Sequence, residues 1–109
     1  MPYANEKRIP LAVSTSTAGA NTLIAAPGDG KFLAIDFIAL NPDGGAQTVT
    51  ITTGTATVAF ALNDNQPLTI ENAIHDPEGI FTCSNNTAFT LTLGAATSVT
   101  GYVKYRICG

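Results

Sequence analysis

The sequence predicts an all-β protein: one antiparallel β-sandwich, jelly-roll-like, of about eight strands. Three observations predict it. Threonine alternates with apolar residues in Thr48-Val49-Thr50-Ile51-Thr52 and again in Phe89-Thr90-Leu91-Thr92-Leu93. A period of two sends successive side chains to opposite faces, so these are strands with one buried and one solvated face. Turn residues interrupt short apolar runs about every 8–12 positions, the spacing of a sandwich or small barrel. No segment reads as a helix, and the absence of tryptophan removes the immunoglobulin signature of a tryptophan between two cysteines, which leaves the jelly roll as first choice.

Residues 1–20 differ from the rest. Glu6, Lys7 and Arg8 are followed by Pro10, a short apolar piece (Leu11-Ala12-Val13) and a run of small residues from Ser14 to Ala20. They read either as a frayed end with a weak edge strand or as a flexible arm that orders when it adds to a neighbour. The division adopted is an arm over residues 1–20 and a sandwich over residues 21–109. Thr22 to Ala26 forms the next strand and stops at Pro27-Gly28-Asp29-Gly30, a turn. Phe32 to Leu40 is the longest apolar run and ends at Asn41-Pro42-Asp43-Gly44-Gly45. It is apolar on both faces except at Asp36, which puts it in mid-sheet or against a partner. Its nine residues, rich in aromatic and β-branched types and bounded by glycine turns, favour strand over helix.

Gln47 to Thr53 pairs through Gly54 with Ala56 to Leu62 as a hairpin. Asn63-Asp64-Asn65 turns the chain, and Leu68 and Ile70 mark a short strand after Pro67. A loop carrying Glu71, His75, Asp76, Pro77, Glu78 and Gly79 follows. Ile80 to Cys83 and Ala88 to Leu93 are strands separated by a turn at Asn85-Asn86. In the last strand, Val99 to Ile107, the residues Val99, Gly101, Val103, Tyr105 and Ile107 face one way, and Tyr102, Lys104 and Arg106 the other.

At 109 residues there is room for one domain, with enough buried surface to hold a core without metal or disulfide. Charged residues are 12% of the chain, about half the usual share, so much of the surface is uncharged and suits contact with other protein. A net charge of −3, with no basic run longer than two, argues against nucleic acid as a partner. No apolar stretch approaches the roughly 20 residues of a spanning helix, so no membrane partner is expected. The first eight residues lack the layout of a signal peptide, and folding in a cytosol is the expectation. Cys83 and Cys108, 25 positions apart, match no zinc or redox spacing and read as free thiols, or as a bridge if their strands are neighbours.

No residue pattern points to catalysis or a cofactor. His75 and Asp76 are adjacent on extended chain and point apart, and no serine lies in a nucleophile elbow. The scattered acids Asp29, Asp36, Asp43, Asp64, Asp76, Glu71 and Glu78 lack the compact spacing of a calcium loop. A carboxylate pair such as Glu71 and Glu78 stays open from sequence, but it would need a cleft, which is hard to build from so small a sandwich. Tyr102, directed outward, reads as a cross-strand packing partner or as a weak stacking platform for a glycan.

From Thr22 to Ile107 the layout resembles the small all-β decoration (cement) proteins of tailed-bacteriophage capsids. The resemblance is carried by Gly30-Lys31-Phe32-Leu33-Ala34-Ile35, the threonine–valine hairpins, Gly79-Ile80-Phe81-Thr82 before Phe89-Thr90-Leu91-Thr92-Leu93, and the closing Val99-Thr100-Gly101-Tyr102-Val103-Lys104-Tyr105. It implies a structural, non-enzymatic virion protein, without cofactor or metal, made in the host cytoplasm and placed on the outer capsid surface. The implied partners are the major capsid protein and further copies of the chain, a trimer by preference or a dimer. Lys7, Arg8, Ile9, Leu11 and Val13 of the arm are then the expected contacts with capsid or protomer. The alternative is a receptor- or glycan-binding module of a phage tail or bacterial surface.

Overall fold

The computed structural model describes residues 7–54, 56–72 and 79–109. Among these residues are nine strands and no helix: β1 Ile9–Thr15, β2 Gly19–Ile24, β3 Phe32–Asp43, β4 Gln47–Thr52, β5 Thr57–Leu62, β6 Leu68–Glu71, β7 Phe81–Thr82, β8 Phe89–Leu93 and β9 Ser98–Cys108. They build two antiparallel sheets. The first runs β1-β9-β3-β6, with β7 pairing β3 beyond the end of β6; the second runs β2-β8-β4-β5. Successive strands pass from sheet to sheet except at β4–β5 and β6–β7. This is the jelly-roll-like sandwich the sequence predicts, with one strand more than the eight counted there.

The extra strand is β1. Of the two readings of residues 1–20, the edge strand describes Ile9–Thr15, which pairs with β9 from Ile9↔Tyr105 to Thr15↔Val99. The alternation Ile9-x-Leu11-x-Val13 supplies the reason. It sends Val13 into the core and packs Leu11 against it, which holds the segment on its own sheet. Gly19 and Ala20 already belong to β2.

The core lies between the sheets. Leu33, Ile35, Ile38 and Leu40 of β3 and Val99 and Val103 of β9 meet Val49 and Ile51 of β4 and Phe89, Leu91 and Leu93 of β8. Each such side chain contributes about 1.5–3 kcal/mol by leaving water. β3 occupies the middle of its sheet, between β9 on one side and β6 and β7 on the other, as its two apolar faces require.

β3 runs three residues past its expected end, through Asn41, Pro42 and Asp43. The Pro42 carbonyl faces away from β9 and accepts the Asn65 N–H at 2.8 Å. The N–H that proline lacks is therefore not demanded by the β3–β9 ladder, and the proline does not end the strand. Within β3 the register against β9 slips between Ile35↔Tyr105 and Phe37↔Lys104, leaving Asp36 as an extra residue. This bulge changes which residues face inward: Leu33 and Ile35 before it, Ile38 and Leu40 after it. At Gly101 of β9 a Cβ would collide with the Ala39 carbonyl, so the close approach of the two long strands requires glycine there.

The acids and amides of the turns are used to tie turn to turn. Asp64 Oδ1 accepts the N–H groups of Gly44 and Gly45 at 3.0 and 3.2 Å. Asn85 Oδ1 accepts Gly30 N–H, its Nδ2 donates to Asp29, and Asn86 Oδ1 accepts Gly28 N–H.

Cys83 and Cys108 are both buried. Cys83 belongs to the core, whereas Cys108 pairs with Phe32, one residue out of phase with core-facing Leu33. The thiols thus sit on opposite faces of one sheet and cannot bridge. Burial pushes the Cys83 thiol from 9.0 up to about 11. The folded chain keeps a proton that the unfolded chain releases, so this stability is complete below pH 9.0 and is lost as pH climbs toward about 11. Urea titrations across that interval should show a loss of about 2–3 kcal/mol that Cys83→Ala removes. An identical pH profile in the variant would disprove the assignment.

Candidate functional site

Two surfaces stand out, one on the outer face of each sheet. On the five-stranded sheet the centre is Asp36, the extra residue of the β3 bulge, which faces outward yet is only 4% exposed. Arg106, opposite Ala34 on β9, grips it with two parallel bonds, Nε to Oδ2 at 2.7 Å and Nη2 to Oδ1 at 3.0 Å. Asn72 Nδ2 donates to Oδ1 and the half-exposed Arg8 donates from Nε to Oδ2, each at 3.3 Å. The Asn72 backbone N–H reaches the Asp36 carbonyl at 3.0 Å. At Gly79 a Cβ would strike the Ile35 carbonyl, so the chain entering β7 lies tight against the bulge. The arrangement is that of a bidentate, desolvated ion pair whose remaining acceptor sites are filled.

Beside this pair lies an open depression of about 270 Å³ lined by Arg8, Asp36, Phe37, Glu71, Asn72, Tyr102 and Lys104. Tyr102 is partly exposed there, on the outward side that the sequence predicts. Its ring meets Phe37 edge-on at 5.9 Å, and Lys104 Nζ stands 5.8 Å from the ring centroid. These contacts are those of a cross-strand packing partner, with a cation over the ring where a sugar would stack.

The second surface is the outer face of β2-β8-β4-β5. None of the residues in these four strands carries a charge. The registers bring threonines into rows across the sheet: Thr22, Thr90, Thr52 and Thr57 in one, and Ala20, Thr92, Thr50 and Ala59 in the next, with Thr48 opposite Ala61 beyond. The strand charges of the domain, Asp36, Asp43, Glu71, Lys104 and Arg106, all belong to the other sheet. Gln47 closes one end of this face from within. Its buried amide donates to the carbonyl of Ala95 and to Thr97 and accepts the Ala95 N–H, fixing the turn after β8.

The five residues expected as contacts are divided by the fold. Ile9, Leu11 and Val13 share the core-facing side of β1, whereas Lys7 and Arg8 are exposed just before the strand. His75, Asp76 and Glu78, weighed above for catalysis or metal binding, lie outside the described residues. Among the described residues no three of His, Cys, Asp and Glu converge on a common point. The charge-free sheet had a sequence signal that the alternation alone did not use: residues 9–28, 44–63 and 79–103 contain no charged residue, and β2, β4, β5 and β8 fall inside those runs.

Comparison with known protein families, with curated proteins and with solved structures finds no match.

Replacing Asp36 by Ala strips buried Arg106 of its carboxylate and should cost about 3–5 kcal/mol in urea unfolding. The paired change Asp36→Leu with Arg106→Met should recover most of that loss, and Arg8→Ala should cost less than about 1 kcal/mol. A mild Asp36→Ala variant would show that the pair is not the anchor of the bulge.

Proposed function

We propose that the chain is a non-catalytic structural module that docks on a protein shell, as a decoration protein does on a tailed-phage capsid. The threonine face of the four-stranded sheet is the surface laid against the major capsid protein. The observation that carries this reading is the segregation of charge: one outer sheet face holds the strand charges and the other has none. A buried, unpaired charge costs several kcal/mol at an interface, so a face without charges can be covered by a partner at little desolvation cost. Threonine suits such a face. Its methyl group gains from burial, and its hydroxyl both donates and accepts, so it finds a partner in most docked geometries.

Repetition strengthens the reading. A shell offers the same site many times, and linked copies multiply modest contacts into high avidity. On this reading the protein is made in a host cytoplasm and ends on the outer capsid surface. The packed surroundings of Tyr102 give the glycan-binding alternative no comparable support.

Incubation with undecorated shells of the encoding phage, followed by sedimentation, tests the proposal. Wild type should co-sediment. Thr50→Lys should weaken binding by about tenfold or more by placing an unpaired charge in the interface, and Lys104→Glu on the opposite sheet should leave binding unchanged. Shells that ignore the wild-type protein, or binding insensitive to Thr50→Lys, would refute the threonine face as the docking surface.

A further inference from the structure

The sandwich has four lateral edges, and three of them carry features that discourage a further strand. β1 contains Pro10 and follows Lys7 and Arg8. β2 is broken by a register shift between Thr22 and Ile24. On the remaining side of the five-stranded sheet, β6 has four residues ending in Glu71 and β7 has two. β5 has none of these devices. Its six residues, Thr57-Val58-Ala59-Phe60-Ala61-Leu62, hold an unbroken register on β4, with no proline, bulge or charge. Proteins guard their sheet edges because unpaired backbone groups on a regular, uncharged strand are a template for another strand.

The hydrogen bonding shows which groups that template offers. Along an antiparallel strand the N–H and C=O of one residue point the same way, and the direction alternates. The Thr48 carbonyl accepts the N–H of Gly94, just after β8, and the Thr53 N–H donates to the Ala56 carbonyl on the β5 side. Gln47, Val49 and Ile51 therefore address β5, where Leu62, Phe60 and Val58 answer them. Thr57, Ala59 and Ala61 are left with their N–H and C=O groups directed at the free edge, and all three are exposed.

We propose that β5 pairs with β5 of a second copy, antiparallel about a two-fold axis at Ala59, to give one continuous eight-stranded sheet. The sequence of the strand is self-complementary for this register. Ala59 faces Ala59 of the second copy, Thr57 faces Ala61, and all the outward backbone groups of the three residues find partners. The opposed outer side chains are small enough to meet without a clash. On the core side, Val58 comes opposite Phe60 of the second copy. Both are half-buried in the single chain, and the pairing covers them. The two chains each carry a net charge of −3, but the meeting strands carry none, so their contact adds no close like-charge pair. The threonine face then runs unbroken across both copies. This association needs no shell, so its test stands apart from the docking proposal.

Sedimentation velocity from micromolar to submillimolar concentration reads the outcome. Wild type should run at twice the 11.2 kDa chain mass. Ala59→Pro removes only an edge-facing N–H, and Ala59→Lys sets two like charges face to face at the axis. Both variants should sediment as monomers while keeping the wild-type circular dichroism spectrum, and agreement between the two guards against misfolding of either. A wild type that stays monomeric throughout overturns the proposal and leaves the edge to a strand of a different protein. A folded Ala59→Lys variant that remains a dimer overturns it equally.

Discussion

The structure depends on the pairing of its two longest strands, β3 and β9, and on the one irregularity in that pairing, the bulge at Asp36. Without the extra residue, the alternation that buries Leu33 and Ile35 would carry Ile38 and Leu40 to the outer face. The bulge restores them to the core and leaves the Asp36 carboxylate, with Phe37 after it, on the outer face in mid-sheet. An isolated carboxylate in so desolvated a place would be costly, and Arg106 removes that cost with a bidentate grip from the neighbouring strand. The chain leaving β6 and returning at β7 closes on the same point, through Asn72 on one side and Gly79 on the other. A backbone irregularity, a buried ion pair and the split of one edge strand into two short pieces are thus one local solution.

That solution also divides the surface. The five-stranded sheet concentrates the strand charges, and its outer face is occupied by internal business: the Asp36–Arg106 pair, the Phe37–Tyr102 contact and the cation beside it. The four-stranded sheet is left as a ruled array of hydroxyl and methyl groups. Charge that must be neutralised locally makes one face self-sufficient, and the absence of charge makes the other easy to cover. The free edge of β5 borders this second face, so the threonine face and the self-pairing edge belong to one side of the molecule.

Much of this was legible in the residues. The alternations in Thr48–Thr52 and Phe89–Leu93 fixed both the strands and the faces they bury, because a period of two allows a single assignment once the apolar set is known. The facing of Val99, Gly101, Val103 and Tyr105 followed in the same way and agrees with the register against β3. One reading failed to reach far enough. β3 was expected to stop at Leu40 because proline and glycine mark turns, but the direction of the Pro42 carbonyl makes its missing N–H irrelevant. Ile9, Leu11 and Val13 were expected as contacts with capsid or a neighbouring protomer; the fold pairs their strand with β9 and packs Leu11 and Val13 on the chain's own core. Arg106 was read correctly as facing away from the core, but its burial depends on a carboxylate seventy positions earlier in the chain.

Composition and alternation by themselves determined that this chain forms a sandwich, where most of its strands run and which apolar side chains of those strands leave water, since these follow from local stereochemistry and the size of the apolar set. Beyond the β4–β5 hairpin, tertiary structure alone decided which strands share a sheet. That choice gathers four charge-free segments on one face, brings Asp36 to Arg106 and leaves β5 as the unguarded edge. The physical reason is that sheet partners are chosen by contacts between residues far apart in sequence, and no local pattern records which of several similar strands will lie alongside.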